Sequence, residues 1–534
     1  MIKLPLRYDE YTDGIIGNIL LRTGNAESLF GIPTTLFEGK FFILYNLFSL
    51  AFDRIGLNTN LAIRLPALIF SILSLIFQFL ITRKLFNSKT ALLSLLLFSV
   101  FPFTLLSGAM GLRLSFVTLA FLSSFYLVLI TQEARSPRIH LFTGIYLGFS
   151  AIYFHPLCIQ IIPAAFVLLF LTKNRNRITY AGIGIVISAL PAIIFYLENN
   201  LLYAQTYKLI SNKAPLFSHQ YFSQVGFNLK TAVYYLFFDS QVPLIHSPAL
   251  NGPLFLNPLV ILLIGSVILL GTRKHLDNIT KDKKYSLLVV FSWIMIGISV
   301  PALSASILEP RYLLPVIPPL IILVSASICL MKRQFAVPLS IVFVFYLFLI
   351  LYFYDTNREK DPGEWFAEAK GMIEIKNKIL EKNSLDEIIV FDDEMLPMAN
   401  AFLNEISISN SNKELPVVLA EHFPTDYSRF DSIQSWSEFS FLTRQLKLGA
   451  FGNEISKKKY YEIFNRLLTH KKAIYFVIWS RFIKTSSPTN SLFKTGYISL
   501  KPFHRDLVPI YTTFLPNGEV GIELYRLDNG NFKY

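Results

Sequence analysis

Long, uninterrupted apolar runs dominate the first two thirds of this chain. Ten runs are of membrane-spanning length or nearly so, and they cover residues 65–86, 90–109, 113–132, 139–155, 158–172, 178–197, 254–272, 285–304, 312–331 and 335–354. A helix needs roughly 20 apolar residues to cross a bilayer. The pattern therefore predicts a polytopic α-helical membrane protein with about ten spans. The fourth and fifth runs are short and are divided by FHP at 154–156, so they form either two tight spans or one broken pair.

The composition supports this prediction and excludes other classes of protein. Hydrophobic residues make up 53% of the chain, charged residues only 16%, and Phe alone contributes 49 residues. Soluble domains contain about 25% charged residues, so the excess of apolar side chains must face lipid. The net charge of +13 does not indicate a nucleic-acid partner, because Lys and Arg form short clusters between the apolar runs. Cys158 and Cys329 lie inside apolar stretches, which excludes an external disulfide and a cysteine-based metal centre.

The basic clusters predict the orientation of the spans. Lys and Arg concentrate in alternate loops, at 83–89, 135–138, 173–177, 273–284 and 332–333. Loops of this kind are typically cytoplasmic. By alternation, residues 1–64, the loop 198–253 and everything after 355 are predicted to lie outside the cytoplasm. We expect a multi-pass protein of the cell's inner, cytoplasmic membrane.

The membrane part of the chain is predicted to have two further features outside its spans. The external loop 1–64 holds an acidic motif and, at 41–52, an apolar segment that is too short to span and suits an interfacial helix. The transmembrane domain, 65–354, has one long external loop at 198–253, with an amphipathic helix predicted at 219–238. That helix either lines the entrance for an acceptor or lipid, or lies on the bilayer.

Residues 355–534 are predicted to form an extracytoplasmic α/β domain. Apolar residues here come in short bursts between charges, and no spanning run recurs. Strands are predicted at DEIIVF, LPVVLAEHF, AIYFVIW and GIELYRL, and helices at GEWFAEAKGMIEIKNKIL and YYEIFNRLLTH. Strands that alternate with helices favour a small α/β fold.

Acidic and basic side chains are predicted to meet on the external side. The stretch LRYDEYTDG at 6–14 places Asp9 and Glu10 together in the first external loop, and Arg64, Arg113 and Arg311 stand at the external ends of three spans. A guanidinium stays ionised and binds phosphate oxygens through two parallel hydrogen bonds. Such a set could hold an anionic phosphate in the arginines while a carboxylate takes a proton.

In this order, several motifs resemble those of one family of membrane enzymes. The motifs are YDEYTDGIIG, NLAIRLPALIFSIL, RKLFNSKTALLSLLLFSVFP, SGAMGLRLSFVTLAFLSSFYLV and EPRYLLPVIPPLIILVSA. They resemble the GT-C glycosyltransferases, particularly the branch that contains protein O-mannosyltransferases and the lipid A aminoarabinose transferase. The resemblance covers about residues 7–332. One departure from the family pattern is that no apolar span precedes the acidic loop in this sequence.

The resemblance implies a reaction and a pair of carboxylates. A polyprenyl-phosphate-linked sugar would be the donor, and the acceptor would be a hydroxyl of a protein, lipid or glycan on the external side. Asp9 would match the catalytic aspartate, which takes the acceptor proton as the anomeric carbon is attacked with inversion. Glu10 would position the acceptor or assist a divalent cation. No other cofactor is expected.

The resemblance also implies a site for the leaving phosphate. Arg311, together with Arg113 and Arg64, would stabilise the charge that builds on the polyprenyl phosphate. Tyr312 would orient Arg311 or pack against the donor. Two weaker candidates are expected on the same face, His155 and Glu309.

Simpler explanations exist for each of these residues and for the whole chain. Asp9 and Glu10 could form a solvated loop near a terminus, and the arginines could only anchor their helices by snorkelling to the headgroups. A transporter or flippase for a lipid-linked sugar is one alternative function, and an inactive membrane scaffold is another. Transporters usually carry charged residues near the membrane midplane, whereas here the ionisable residues crowd the edges of the spans.

Overall fold

A computed structural model describes nine stretches of the chain. They are 48–198, 218–237, 281–304, 310–348, 371–378, 387–391, 417–419, 473–479 and 508–528, with short gaps inside several of them. The chain divides into two compact units. The first to be described is Arg64–Lys360, and the other combines Met1–Ile63 with Asp361–Tyr534.

The unit Arg64–Lys360 is a bundle of helices. In chain order these are α1 (Thr59–Leu85), α2 (Ser88–Val100), α3 (Leu114–Thr131), α4 (Pro137–Tyr153), α5 (Ile161–Leu171), α6 (Arg175–Glu198), α7 (His219–Phe237), α8 (Lys281–Ser304) and α9 (Ile317–Leu330). Two 3₁₀ segments, Pro156–Gln160 and Pro310–Val316, precede α5 and α9. Asn87 caps α2, because its side chain accepts a hydrogen bond from the Thr90 backbone N–H at 2.9 Å.

Four described helices are long and apolar enough to cross a membrane, as the sequence predicts. They are Leu61–Leu85, Leu114–Thr131, Tyr285–Leu303 and Tyr312–Cys329. Three other apolar helices are shorter, at Ser88–Val100, Leu157–Phe170 and Arg177–Pro191. The predicted run 254–272 lies outside the described residues. The multi-pass, helical character of the chain is confirmed, while the number of about ten spans stays a prediction.

In the middle of helix α1, several apolar side chains face outward while polar side chains face inward. Leu68, Ile72 and Ile76 are exposed, whereas Ser74 and Gln78 are buried at 1% and 0% exposure. Soluble proteins bury the apolar stripe of an amphipathic helix instead. The inverted pattern suits a helix whose outer face contacts lipid tails.

Contacts between side chains fix the direction in which the helices run. Ser286, near the start of α8, donates a hydrogen bond to the carbonyl of Leu85, the last residue of α1. Gln132, just after α3, donates to the hydroxyl of Tyr285 at 3.3 Å. The end of α1, the end of α3 and the start of α8 therefore lie together. We call this end of the bundle, which carries Arg83 of α1, the Arg83 end.

Helices α4 and α6 make the closest backbone contact of the described bundle. A Cβ atom added at Gly144 would overlap the carbonyl oxygen of Ala181, and one added at Gly184 would overlap the carbonyl oxygen of Leu141. Both helices run in the same direction, because α5 lies between them in the chain. Small residues allow membrane helices to approach this closely, and the packing of the two backbones replaces side-chain interdigitation.

The second unit contains a five-stranded mixed sheet. Its strands are β1 (Glu387–Phe391), β2 (Val417–Leu419), β3 (Ala473–Trp479), β4 (Tyr511–Phe514) and β5 (Val520–Asp528). The order is β2-β1-β3-β5-β4, in which β1 pairs in parallel with β2 and β3, and β5 pairs antiparallel with β3 and β4. The four strands predicted from the sequence are confirmed. The edge strand β4 was not predicted.

A predicted helix covers one face of this sheet. Within 363–380 the described residues are helical, and Gly371 packs so closely on Thr513 that a Cβ there would lie 2.8 Å from its hydroxyl oxygen. Tyr511 donates a hydrogen bond to Glu374 at 3.2 Å. The second predicted helix, at 460–470, lies outside the described residues. The α/β character of the C-terminal region is confirmed.

The sheet also buries a tyrosine beside a carboxylate. Tyr525, on β5, is 1% exposed and donates a hydrogen bond to Glu523 at 3.0 Å. Burial raises the pKa of the Tyr525 hydroxyl above its ordinary range, and the charge of Glu523 and the hydrogen bond to it raise the pKa further. The pair therefore keeps the phenol protonated inside this domain.

Candidate active site

The bundle has a second end, opposite the Arg83 end, which we call the Arg64 end. Two contacts near this end join α1 to the start of α3 and to the residues that precede α3. Phe70 stacks on Phe116 with ring centroids 4.6 Å apart, and Gly108 lies so close to Ser71 that a Cβ would come within 2.8 Å of its hydroxyl oxygen. The start of α3 therefore lies beside the start of α1. Arg64 lies one to two turns before these contacts on α1.

Arg64 is buried at this end. Only 5% of its surface is exposed, and Ala67, on the same helical face, is fully buried. Arginine is almost never buried unless it is paired. An arginine that only snorkelled to the headgroups would extend along the outer surface of the bundle and be exposed. The burial of Arg64 therefore argues against the anchoring explanation for this residue.

Separate helices flank the sequence FHP, which divides the fourth and fifth apolar runs. Helix α4 ends at Tyr153, the 3₁₀ segment Pro156–Gln160 follows, and α5 begins at Ile161. Ser123 of α3 lies 2.6 Å from the Tyr146 hydroxyl of α4. Because α4 returns antiparallel to α3, the break lies at the Arg64 end.

The second 3₁₀ segment, Pro310–Val316, also lies at the Arg64 end, because it follows the far end of α8. Leu313 and Val316 within it are fully buried. Gly297 of α8 makes room for the segment, since a Cβ there would lie 2.6 Å from a methyl carbon of Val316. The backbone of Arg311 belongs to this segment, and Tyr312 beside it is half-buried. The sequence EPRYLLPV is thus folded tightly against the bundle.

Helix α7, predicted as an amphipathic helix of the long external loop, packs on the end of α8. Tyr221 donates a hydrogen bond to the carbonyl of Leu303 at 3.1 Å, and the fully buried amide of Asn228 donates to the carbonyl of Ala302 at 3.2 Å. The last carbonyls of a helix lack partners within the helix, so these bonds satisfy part of the end of α8. Sequence reasoning did not find Tyr221 or Asn228, because their partners are backbone atoms.

The structure gathers part of the predicted site and leaves part outside the described residues. Arg64, the backbone of Arg311 and Tyr312 all belong to the Arg64 end. Five candidates lie outside the described residues: Asp9, Glu10, Arg113, His155 and Glu309.

The described chemistry of the Arg64 end suits an anion. A buried guanidinium provides positive charge and donors that fit phosphate oxygens. Among the described residues, no group of three or more His, Cys, Asp or Glu side chains could hold a metal ion. A divalent cation beside Asp9 and Glu10 stays a prediction, because both residues lie outside the described part of the chain.

Comparison with known proteins gives the fold a name. Residues 43–195 match the dolichyl-phosphate-mannose-protein mannosyltransferase family, a match that includes Arg64. The structure is similar to that of ArnT from Cupriavidus metallidurans in the apo state, with a TM-score of 0.57 and 12% sequence identity. That similarity covers 99% of this chain and 94% of ArnT. The chain has the GT-C fold.

Two further GT-C structures are similar to the chain. ArnT bound to undecaprenyl phosphate gives a TM-score of 0.55 at 11% identity, over 98% of this chain and 94% of that one. An oligosaccharyltransferase from Archaeoglobus fulgidus gives 0.49 at 11% identity, over 97% of this chain and 70% of that one. No curated protein matches the chain by sequence. The similarity to ArnT over nearly the whole chain shows the fold, and the family match covers part of the helical bundle.

Proposed function

We propose that this chain is a membrane glycosyltransferase with a polyprenyl-phosphate-linked sugar, hexose or pentose, as its donor. The sugar moves to a hydroxyl of a protein, lipid or glycan on the extracytoplasmic side, with inversion. The GT-C fold supports the reaction class, and the related ArnT structure with undecaprenyl phosphate supports the type of lipid carrier. The sugar and the acceptor are open in this proposal.

The burial of Arg64 is the observation that carries the proposal. A guanidinium held away from bulk water acts more strongly on a neighbouring anion, because the effective dielectric is lower there. Arg64 lies at the same end of the bundle as the segment that contains Arg311 and Tyr312. Fixed positive charge in a site of low dielectric stabilises an oxyanion strongly and needs no reorganisation during the reaction. In this proposal Arg311, with Arg64 and Arg113, binds the leaving polyprenyl phosphate.

The two acidic residues of the first loop have separate roles in the reaction. Asp9 takes the proton of the acceptor hydroxyl as its oxygen bonds to the anomeric carbon. The bond from that carbon to the phosphate oxygen breaks, and its electron pair stays on the polyprenyl phosphate. Glu10 positions the acceptor. These roles come from the resemblance to GT-C enzymes, and general-base help of this kind is worth roughly 10²–10⁴-fold.

The charge distribution favours this enzyme over a flippase. In sequence, three of the four long spans contain no acidic or basic residue, and in the first span these residues are Arg64, Arg83 and Lys84, near its two ends. Carriers of charged substrates usually hold ionisable groups near the midplane. Chemistry at one edge of the bundle needs no such groups.

Transfer of a labelled sugar tests the proposal. The full chain is reconstituted in liposomes with a panel of radiolabelled undecaprenyl-phosphate sugars and a cell-envelope extract as the source of acceptors. We expect Asp9→Asn to lower transfer at least about 100-fold while the protein stays folded. Asp13→Asn, in the same loop, is the matched control and should retain activity. Full transfer by the Asp9→Asn variant would remove Asp9 from the mechanism, and movement of donor across the bilayer without acceptor would favour a flippase.

A further inference from the structure

One glutamine is buried on α1, between Arg64 and Arg83 in the helix. Gln78 is on the inward face of α1 and is fully buried. Its amide nitrogen donates to the Ser94 hydroxyl of α2 at 3.0 Å and to the Pro318 carbonyl of α9 at 3.1 Å. One side chain therefore ties together three helices, two of which lead from the Arg64 end.

The amide orientation follows from its partners. A carbonyl oxygen can only accept, so the atom that faces Pro318 must be the amide nitrogen. The amide oxygen of Gln78 is then left without a partner among the described residues. An unpaired amide oxygen in an apolar interior is destabilising. A methionine would fill a similar space without that penalty, so the bond made by the nitrogen is the feature that distinguishes glutamine here.

The partner of Gln78 sits where α9 is weakly held by its own backbone. Pro315, Pro318 and Pro319 have no N–H groups, so they cannot donate to the carbonyls one turn earlier. The junction between the segment Pro310–Val316 and α9 thus has few internal hydrogen bonds. Its position must depend on contacts from other helices, of which the Gln78 amide is a directional one.

We propose that Gln78 is a positioning residue for the phosphate site, and this inference rests on the proposed function. By holding the Pro318 carbonyl, Gln78 fixes α9 against α1. Arg64 precedes Gln78 on α1, and Arg311 precedes Pro318 on the chain that enters α9, in both cases toward the same end of the bundle. A slip of α9 along α1 would change the separation of the two arginines and therefore their fit to one phosphate.

Binding of undecaprenyl phosphate to the full chain in lipid nanodiscs tests the inference. Gln78→Met keeps the length of the side chain and removes its hydrogen bonds. We expect it to weaken binding about tenfold, because Arg311 would no longer be aligned for its charge-assisted hydrogen bond to the phosphate. Ser94→Ala is the matched control, because it removes the other partner of Gln78 and leaves the bond to Pro318. It should weaken binding less than about twofold.

A double-mutant cycle separates positioning from a general structural effect. In an Arg311→Ala background, Gln78→Met should have almost no further effect on binding, because its influence passes through Arg311. Thermal unfolding of each variant shows that it is folded. If Gln78→Met fails to fold, Gln78→Asn replaces it, since its amide is one methylene too short to reach Pro318, and the same tenfold loss is expected.

The outcomes distinguish this inference from the proposed function. Full binding by folded Gln78→Met or Gln78→Asn, or an equal loss in both backgrounds, would overturn the positioning role and leave the phosphate site intact. Undiminished binding by Arg311→Ala would overturn the role of Arg311 in the proposed function, and the inference with it. A loss that disappears in the Arg311→Ala background supports both.

Discussion

The two ends of α1 carry the same kind of side chain in opposite settings. Arg64 is 5% exposed, whereas Arg83, toward the other end of the same helix, is exposed. An exposed arginine keeps its hydration, which is sufficient for orienting a span in the membrane. A buried arginine has lost that hydration and depends on the protein groups around it. Among the described residues, the fold therefore gives the two arginines of α1 different settings.

The same contrast extends to the loops around α1. The starts of α4, α6 and α8 carry Arg138, Arg175 and Lys281, and these helix starts lie at the Arg83 end. The Arg64 end instead has two 3₁₀ segments and the docked helix α7. Irregular backbone at the end of a membrane bundle is tolerated where protein buries it or where it lines a cavity. The two ends therefore differ in the burial of their arginines and in the regularity of their backbone.

The largest expected effect is the difference between removing Arg64 and removing Arg83. Arg64→Ala should lower sugar transfer about 100-fold, because fixed positive charge near the leaving phosphate is lost. Arg83→Ala should change transfer by less than about twofold, since an exposed charge at the opposite end is screened by solvent. The measurement is the initial rate of transfer at saturating donor in liposomes. Equal effects of the two substitutions would show that the ends do not differ in function.

A smaller effect should separate charge from geometry at the Arg64 end. Arg64→Lys keeps the positive charge but loses the planar fork that binds two phosphate oxygens at once. We expect a loss of about tenfold in affinity for undecaprenyl phosphate, intermediate between the wild type and Arg64→Ala. Wild-type affinity in the lysine variant would mean that Arg64 acts only as a point charge. The corresponding change Arg83→Lys is the control and should leave the affinity unaltered.

The smallest expected effect comes from removing a buried hydrogen bond to a helix carbonyl, one at each end of the bundle. Asn228→Ala removes the bond to Ala302 at the Arg64 end, and Ser286→Ala removes the bond to Leu85 at the Arg83 end. Each should lower the free energy of unfolding by about 1 kcal/mol, measured by chemical denaturation in detergent. Only Asn228→Ala should also weaken donor binding, by a few-fold. A matching loss of binding in Ser286→Ala would contradict the division between the ends.

Much of the fold could be predicted because its signals are local. The apolar runs of α1, α3, α8 and α9 have the length that a bilayer requires, and four strands follow from short β-rich segments between charges. The strand β4 was missed because it is short and lies at the edge of the sheet, where burial imposes little pattern on its sequence. The sequence alone also left open whether the runs divided by FHP form two tight spans or one broken pair, because that choice depends on packing.

The candidate site could be predicted only in part, because burial is a tertiary property. Arg64 and Arg83 look alike in sequence, since both stand near the ends of one apolar run. Gln78 and Asn228 were missed because each donates to a backbone carbonyl of a distant helix, and Gln78 lies 240 residues from Pro318 in the chain. An amide inside an apolar run was the available signal for Gln78. It does not tell which carbonyl the amide reaches.

The glycine contact between α4 and α6 limits how this bundle can open. Where two backbones touch, no side chain lies between them that could change its rotamer and let one helix slide past the other. We therefore expect α4 and α6 to move together as one rigid unit when the bundle fluctuates. Any widening of the bundle has to occur along seams filled by flexible side chains, on the side away from α4 and α6.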